Sequence, residues 1–200
     1  PPLKLYEMKP LPEKFTVACY MPATNRDFSR PNEMFEIAKK MPDVEFKFFG
    51  NPAQVGKDPA LSQNITYVGY VEDMEPFIAE CSAIMRFPIH DGLPIGVLEF
   101  LLAGRYSIQS VPVKHTLYVP QFNVDHVVEG LRQIQKLATE PNKIASDYWR
   151  QELDHEKFKA KVRELAGYDP KQYWEDRAPA WVSQAAAMPI EVDEVKAVFA

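Results

Sequence analysis

The sequence HDGLPIGVLEFLLAG, residues 90–104, decides the expected fold of this chain. The apolar run from Ile95 to Ala103 predicts a buried helix, and Gly104 is a residue type that commonly ends helices. The turn before this helix would direct unpaired backbone N–H groups, and the positive end of the helix dipole, toward a ligand. A junction of this kind favours an anion, most often a phosphate.

Two carboxylates frame the junction. Asp91 lies in the turn, and Glu99 lies about one helical turn beyond Ile95. A carboxylate within an apolar segment is costly to bury without hydrogen-bond donors, and the hydroxyl groups of a ribose would supply them. The same residues also fit a simpler interpretation, in which a loop aspartate caps a core helix and a glutamate lies at the solvent edge of that helix.

Strands and helices alternate on both sides of the junction. Apolar patterns predict strands at 15–20, 44–49, 65–68, 83–87 and 106–109, and helices at 32–41, 72–81 and 95–103. This alternation is typical of βαβ units, so we expect an α/β fold with a Rossmann-like parallel sheet flanked by helices. Ligands bind such sheets at the carboxyl ends of the strands.

Three regions are expected along the chain. Residues 1–13 hold four prolines and predict a linker, residues 14–140 predict the Rossmann-like domain, and residues 141–200 predict a helical extension packed on it. Further helices are expected at 124–139, 143–166 and 170–188. The last of these carries an aromatic stripe, which is most typical of a core-facing surface, formed by Tyr173, Trp174 and Trp181.

Composition disfavours several classes of protein. A formal net charge of −5 and a pI near 5.5 disfavour a basic groove for nucleic acid. No apolar run approaches the roughly 18 residues of a membrane span. The two cysteines lack metal-ligand spacing and predict reduced core thiols in a cytoplasmic protein.

The junction resembles the acid–seven-residue–acid motif of retaining glycosyltransferases with the GT-B fold, the family usually numbered four. The sequence DGLP at 91–94 is similar to the Glu-Gly-Phe-Pro start of that motif, and EFLLAG at 99–104 is similar to its Glu-Ala-Met-Ala-Cys-Gly end. Aspartate replaces the usual first glutamate and shortens its reach by one methylene. The order of the neighbouring segments agrees with the family over about residues 14–140.

The resemblance implies catalytic roles for Asp91 and Arg30. Arg30 matches the lysine of the family's Lys-Gly pair, and Arg26 lies near the preceding family arginine; both cations would hold the donor diphosphate. Asp91 would bind the sugar hydroxyls or the donor's reacting face, and Glu99 would bind the ribose. Further substrate contacts are implied at Gly50, Val71, His90, Gly92, Leu93, Pro94 and Ile95.

The implied donor is a nucleotide diphosphate sugar, UDP- or GDP-linked, used with retention of anomeric configuration and without a metal ion or other cofactor. GT-B enzymes hold the acceptor in an N-terminal domain. We therefore expect this chain to be the donor-binding half of a hexosyltransferase, inactive without that domain, which would be supplied by the same or a separate chain. Three alternatives stay open: a non-catalytic nucleotide-binding or scaffold module, a nucleotide-sugar epimerase, and transfer to a nucleic-acid base.

Overall fold

The computed structural model describes residues 6–22, 29–50, 63–89, 91, 92, 94–154, 156, 157, 160 and 164. The chain divides into two compact units, Pro1–Leu153 and Asp154–Ala200. The described strands of the first unit form one parallel sheet in the order β3-β2-β1-β4-β5-β6. They are β1 (Thr16–Tyr20), β2 (Glu45–Phe49), β3 (Ile65–Gly69), β4 (Ala83–Arg86), β5 (Tyr106–Gln109) and β6 (Leu117–Tyr118).

Helices cover both faces of this sheet, which confirms the expected Rossmann-like fold. The helices are α1 (Pro31–Lys40), α2 (Met74–Ala79), α3 (Ile95–Leu102), α4 (Val124–Leu137) and α5 (Lys143–Glu152). Successive side chains of β1 point to opposite faces. Val17 and Cys19 join the core beneath α1 and α4, whereas Ala18 joins the core beneath α2, α3 and α5. Burial on both faces explains why the central strands β1 and β4 are nearly continuous apolar runs.

The helix of the junction ends where the sequence predicts. Gly104 has a φ of 72°, which is a left-handed conformation that glycine adopts without steric cost. The Arg105 amide then donates to the Phe100 carbonyl at 2.8 Å, and the Gly104 amide donates to the Leu101 carbonyl at 2.9 Å. These bonds satisfy carbonyls in the last turn of α3 and return the chain directly into β5.

One element prediction was wrong, and one element was not predicted. A single helix at 143–166 is interrupted, because α5 ends at Glu152 and the Asp154 carboxylate then accepts the amides of Glu156 and Lys157 at 2.9 and 3.1 Å, as the cap of a new turn. Strand β6 was not predicted, because two residues show no periodicity and the strand is defined by its pairing with β5. The predicted helix at 170–188, with its aromatic stripe, lies outside the described residues.

The described part of the N-terminal segment, residues 6–13, lies against the domain. Tyr6 is only 5% exposed and packs in the core beneath α2, α3 and α5. Arg105, at 1% exposed, donates to the carbonyls of Lys9 and Pro10 at 2.7 and 3.1 Å and to that of Ile78 at 3.1 Å. Helix α5 also packs on α3, so the first unit extends beyond residue 140 to Leu153.

Candidate functional site

A cleft of about 430 Å³ opens at the carboxyl edge of the sheet. Strands β1, β2 and β4, helix α2 and the β4–α3 junction all contribute lining residues. Its described lining residues are Tyr20, Phe49, Met74, Ile84, Arg86, Asp91, Pro94, Ile95, Gly96 and Glu99. The fold therefore brings the two acids singled out in the sequence to one cleft.

The start of α3 presents backbone donors to this cleft. Pro94 precedes the helix without a side-chain cap, and its carbonyl accepts the amides of Val97 and Leu98 at 3.0 and 3.1 Å. The amides of Ile95 and Gly96 belong to the first turn, which has no intrahelical acceptor for them. Because the helix dipole adds positive potential at this end, the geometry suits an anion.

Asp91 is held by an arginine from the neighbouring strand end. Arg86 donates from Nε and Nη2 to Asp91 Oδ2 at 3.0 and 2.6 Å, and the two side chains are 21% and 22% exposed. The other oxygen, Oδ1, accepts the Gly92 amide at 2.8 Å. The guanidinium of Arg86 also lies over the ring of Tyr20, with 5.3 Å between Cζ and the ring centroid.

Glu99 is held by the N-terminal segment. The Tyr6 hydroxyl donates to Glu99 Oε1 at 3.0 Å. Burial raises the pKa of the Tyr6 phenol above its usual value, and the negative charge of Glu99 raises it further. The hydroxyl therefore keeps its proton at neutral pH. Within the described residues Oε2 accepts no hydrogen bond, and this oxygen is available to a ligand in the cleft.

Arg30 occupies a different place. It precedes α1 with a φ of 53°, and its Cζ lies 4.8 Å from the centroid of the Phe122 ring. Phe122 in turn packs on Phe87 with 5.1 Å between ring centroids. Arg30 is not among the described residues that line the cleft, so the structure does not bring it together with Asp91 and Glu99 there.

The other predicted contacts divide into two groups. Arg26, His90 and Leu93 lie outside the described residues. Gly50 has a φ of 102°, its amide donates to the Gly69 carbonyl at 2.7 Å, and a Cβ there would come within 2.7 Å of Tyr20 Cε2. Val71 is partly buried against the core beneath α2 and α3.

Sequence reasoning missed two of the side chains that contact the acids. Arg86 ends the apolar run of β4, and a charge at the carboxyl end of a buried strand is a signal that could have identified it. Tyr6 carries no comparable signal, because it lies 93 positions from Glu99 in the sequence.

Neither a metal centre nor a membrane span emerges from the described ranges. Those residues contain no group of three or more His, Cys, Asp or Glu side chains that could hold a metal ion. They also contain no helix with the length and apolar character needed to cross a bilayer.

No protein-family model and no curated protein sequence matches this chain. Solved structures do match. TarM from S. aureus, in complex with fondaparinux, alpha-GlcNAc-glycerol and UDP, aligns over 82% of this chain and 38% of its own, with a TM-score of 0.66 and 16% identity. Sucrose-phosphate synthase from Thermosynechococcus elongatus aligns over 88% of this chain and 51% of its own, with a TM-score of 0.66 and 14% identity.

A third match is a single domain. The C-terminal domain of LpcC, a glycosyl transferase group 1 family protein from Francisella tularensis, aligns over 94% of its length and 74% of this chain, with a TM-score of 0.56 and 15% identity. This chain has the fold of a GT-B glycosyltransferase half. It spans 38% and 51% of the lengths of TarM and sucrose-phosphate synthase.

Proposed function

We propose that this chain binds a nucleotide diphosphate sugar and is the donor-binding half of a retaining hexosyltransferase. One observation carries the proposal: Asp91 and Glu99 line the same cleft as the first residues of α3, in a fold shared with GT-B glycosyltransferases. Anions favour the start of a helix, and ribose hydroxyls are suitable donors to an exposed carboxylate oxygen. UDP or GDP is the proposed nucleotide.

Each acid has a distinct proposed role. Glu99 would accept hydrogen bonds from the ribose through Oε2, since Oε1 already accepts the Tyr6 hydroxyl. Asp91 would lie near the sugar or the donor's reacting face. The amides of Ile95 and Gly96, with the cations Arg26 and Arg30, would stabilise the charge that develops on the leaving diphosphate. This is electrostatic catalysis without a metal ion, and the acceptor would be held by a separate N-terminal domain.

Nucleotide binding tests the proposal directly. Isothermal titration calorimetry of the whole chain with UDP and GDP is expected to detect one of them, and Glu99→Ala is expected to abolish that binding because the ribose loses its acceptor. Glu129→Ala is the matched control, since Glu129 is an exposed glutamate on α4 outside the cleft. An unmodified chain that binds neither nucleotide, nor any UDP- or GDP-linked sugar, would contradict the proposed function.

A further inference from the structure

Arg86 is the cation among the described residues that line the cleft. It ends β4 at the carboxyl edge of the sheet, and the other described lining residues are two acids and uncharged side chains. A diphosphate carries at least two negative charges, so its transfer from water requires donors and positive charge in the site. We propose that Arg86 binds the diphosphate of the donor and that Asp91 positions Arg86; this inference rests on the proposed function.

Two contacts fix the plane of the guanidinium. One edge, formed by Nε and Nη2, donates to Asp91 Oδ2, and one face lies over the Tyr20 ring. An arginine has five N–H donors in a planar fork, and these two bonds use two of them. Within the described part of the chain Nη1 makes no hydrogen bond, which leaves a preoriented edge for phosphate oxygens.

The contacts of Asp91 favour a positioning role. Both of its oxygens are engaged, one by Arg86 and the other by the Gly92 amide. A carboxylate held in this way orients the guanidinium before the ligand arrives, so less side-chain entropy is lost on binding. The same turn leads to Ile95 and Gly96, which line the cleft and whose first-turn amides would complete the diphosphate site.

The position of Arg30 supports the assignment to Arg86. Both guanidinium groups lie over an aromatic ring, Phe122 for Arg30 and Tyr20 for Arg86. Arg86 alone of the two lines the cleft with the acids. The end of β4 therefore supplies a cation for the diphosphate beside the two acids, in addition to the contribution proposed for Arg30 at the start of α1.

The test compares a nucleotide with its nucleoside. Dissociation constants of UDP and uridine are measured for the whole chain and for Arg86→Leu, by calorimetry and by NMR titration for the weaker ligand; GDP and guanosine replace them if the unmodified chain prefers guanine. We expect Arg86→Leu to weaken UDP binding about tenfold to a hundredfold, the range of one charge-assisted bidentate contact. Uridine binding should change less than about twofold, because the nucleoside lacks phosphate.

Two further variants define how the cation is held. Arg86→Lys keeps the charge but loses the planar fork, so it should recover part of the lost UDP affinity. Asp91→Asn should weaken UDP binding as well, and the double variant with Arg86→Leu should bind no worse than Arg86→Leu alone. If Asp91 contacts only the sugar, Asp91→Asn will leave UDP affinity unchanged, which overturns its positioning role.

Arg132→Leu is the matched control. Arg132 donates from Nη1 and Nη2 to Asp43 at 2.5 and 2.6 Å, so it forms the same kind of pair outside the cleft, and UDP affinity should not change. If the unmodified chain binds UDP and Arg86→Leu binds it equally well, the inference is wrong and the proposed function stands. If the unmodified chain binds no nucleotide, both are wrong.

Discussion

Arginine has different roles at the two edges of the sheet. At the amino edge, Arg105 immediately precedes β5, is 1% exposed, and donates to four backbone carbonyls, those of Lys9, Pro10, Ile78 and Ala79. At the carboxyl edge, Arg86 ends the adjacent strand β4, pairs with Asp91 and faces an open cleft. Arginine, the same residue type, therefore holds segments of the protein together at one edge and presents hydrogen-bond donors to a ligand at the other.

The difference follows from strand direction. In a parallel sheet all the amino ends meet at one edge and all the carboxyl ends at the other, and ligands bind at the carboxyl edge. Burial lowers the pKa of the Arg105 guanidinium from its ordinary value, but an arginine remains charged at neutral pH and therefore needs partners throughout. Substitution at the amino edge should thus affect folding, whereas substitution at the carboxyl edge should affect binding.

The largest effect on stability is expected from Arg105→Met. The variant keeps much of the apolar volume but removes the donors to carbonyls of α2 and of the N-terminal segment. We expect the free energy of unfolding to fall by about 3 kcal/mol, because several hydrogen bonds from a buried charge are lost together. Urea denaturation measures this loss, and faster hydrogen exchange of the amides of residues 6–13 would show that the N-terminal segment is released.

Arg105→Lys gives the corresponding control. A lysine places one ammonium where the guanidinium reaches carbonyls on two segments, so an intermediate loss of stability is expected. A change below about 1 kcal/mol for Arg105→Met would show that water or other donors replace the guanidinium, and the contrast between the two sheet edges would not hold.

A smaller effect is expected where the N-terminal segment reaches the cleft. Tyr6→Phe removes the hydroxyl that donates to Glu99 Oε1 and leaves the buried ring in place. We expect a loss of about 1 kcal/mol in the free energy of unfolding, because Glu99 is only half-buried and water can replace the lost donor. Urea denaturation of Tyr6→Phe and Tyr118→Phe gives the comparison, since Tyr118 is 45% exposed.

The fold was largely predictable from the sequence, because local patterns encode it. The strands and helices follow from the apolar periodicity of single segments. The end of α3 at Gly104 follows from the conformational freedom of glycine. The shared position of Asp91 and Glu99 follows from their spacing across one turn-to-helix junction. A short stretch of sequence is therefore sufficient to predict that both acids lie in one cleft.

The partners of those acids were not predictable in the same way. The pair between Arg86 and Asp91 depends on how the end of β4 and the following turn are oriented, and the contact between Tyr6 and Glu99 joins residues 93 positions apart. The role expected for Arg30 followed from the family resemblance and from its spacing to Ala38, whereas the contact of its guanidinium with Phe122 depends on tertiary packing. Contacts between distant segments carry little signal in a single sequence.

The smallest effect is expected at the pair between Asp43 and Arg132, which has the chemistry of the cleft pair without the cleft. The hydrogen bond from Arg132 lowers the pKa of Asp43 to about 2, below its ordinary value near 4. A carboxyl whose pKa is depressed on folding stabilises the protein above its unfolded pKa, and this contribution is lost as the pH falls from about 4 to about 2.

The size of this pH effect is limited by exposure. The Asp43 side chain is 54% exposed, so solvent and salt screen the pair and its contribution should stay below about 1 kcal/mol. Urea denaturation between pH 5 and pH 2 should therefore show a slightly shallower decline in stability for Asp43→Asn than for the unmodified chain, and about 1 M salt should remove the difference. Equal slopes at low salt would mean that this pair contributes nothing measurable. If Asp43→Asn lowered the free energy of unfolding as much as is expected for Arg105→Met, the type of partner, rather than burial at the amino edge, would determine how strongly an arginine stabilises this fold.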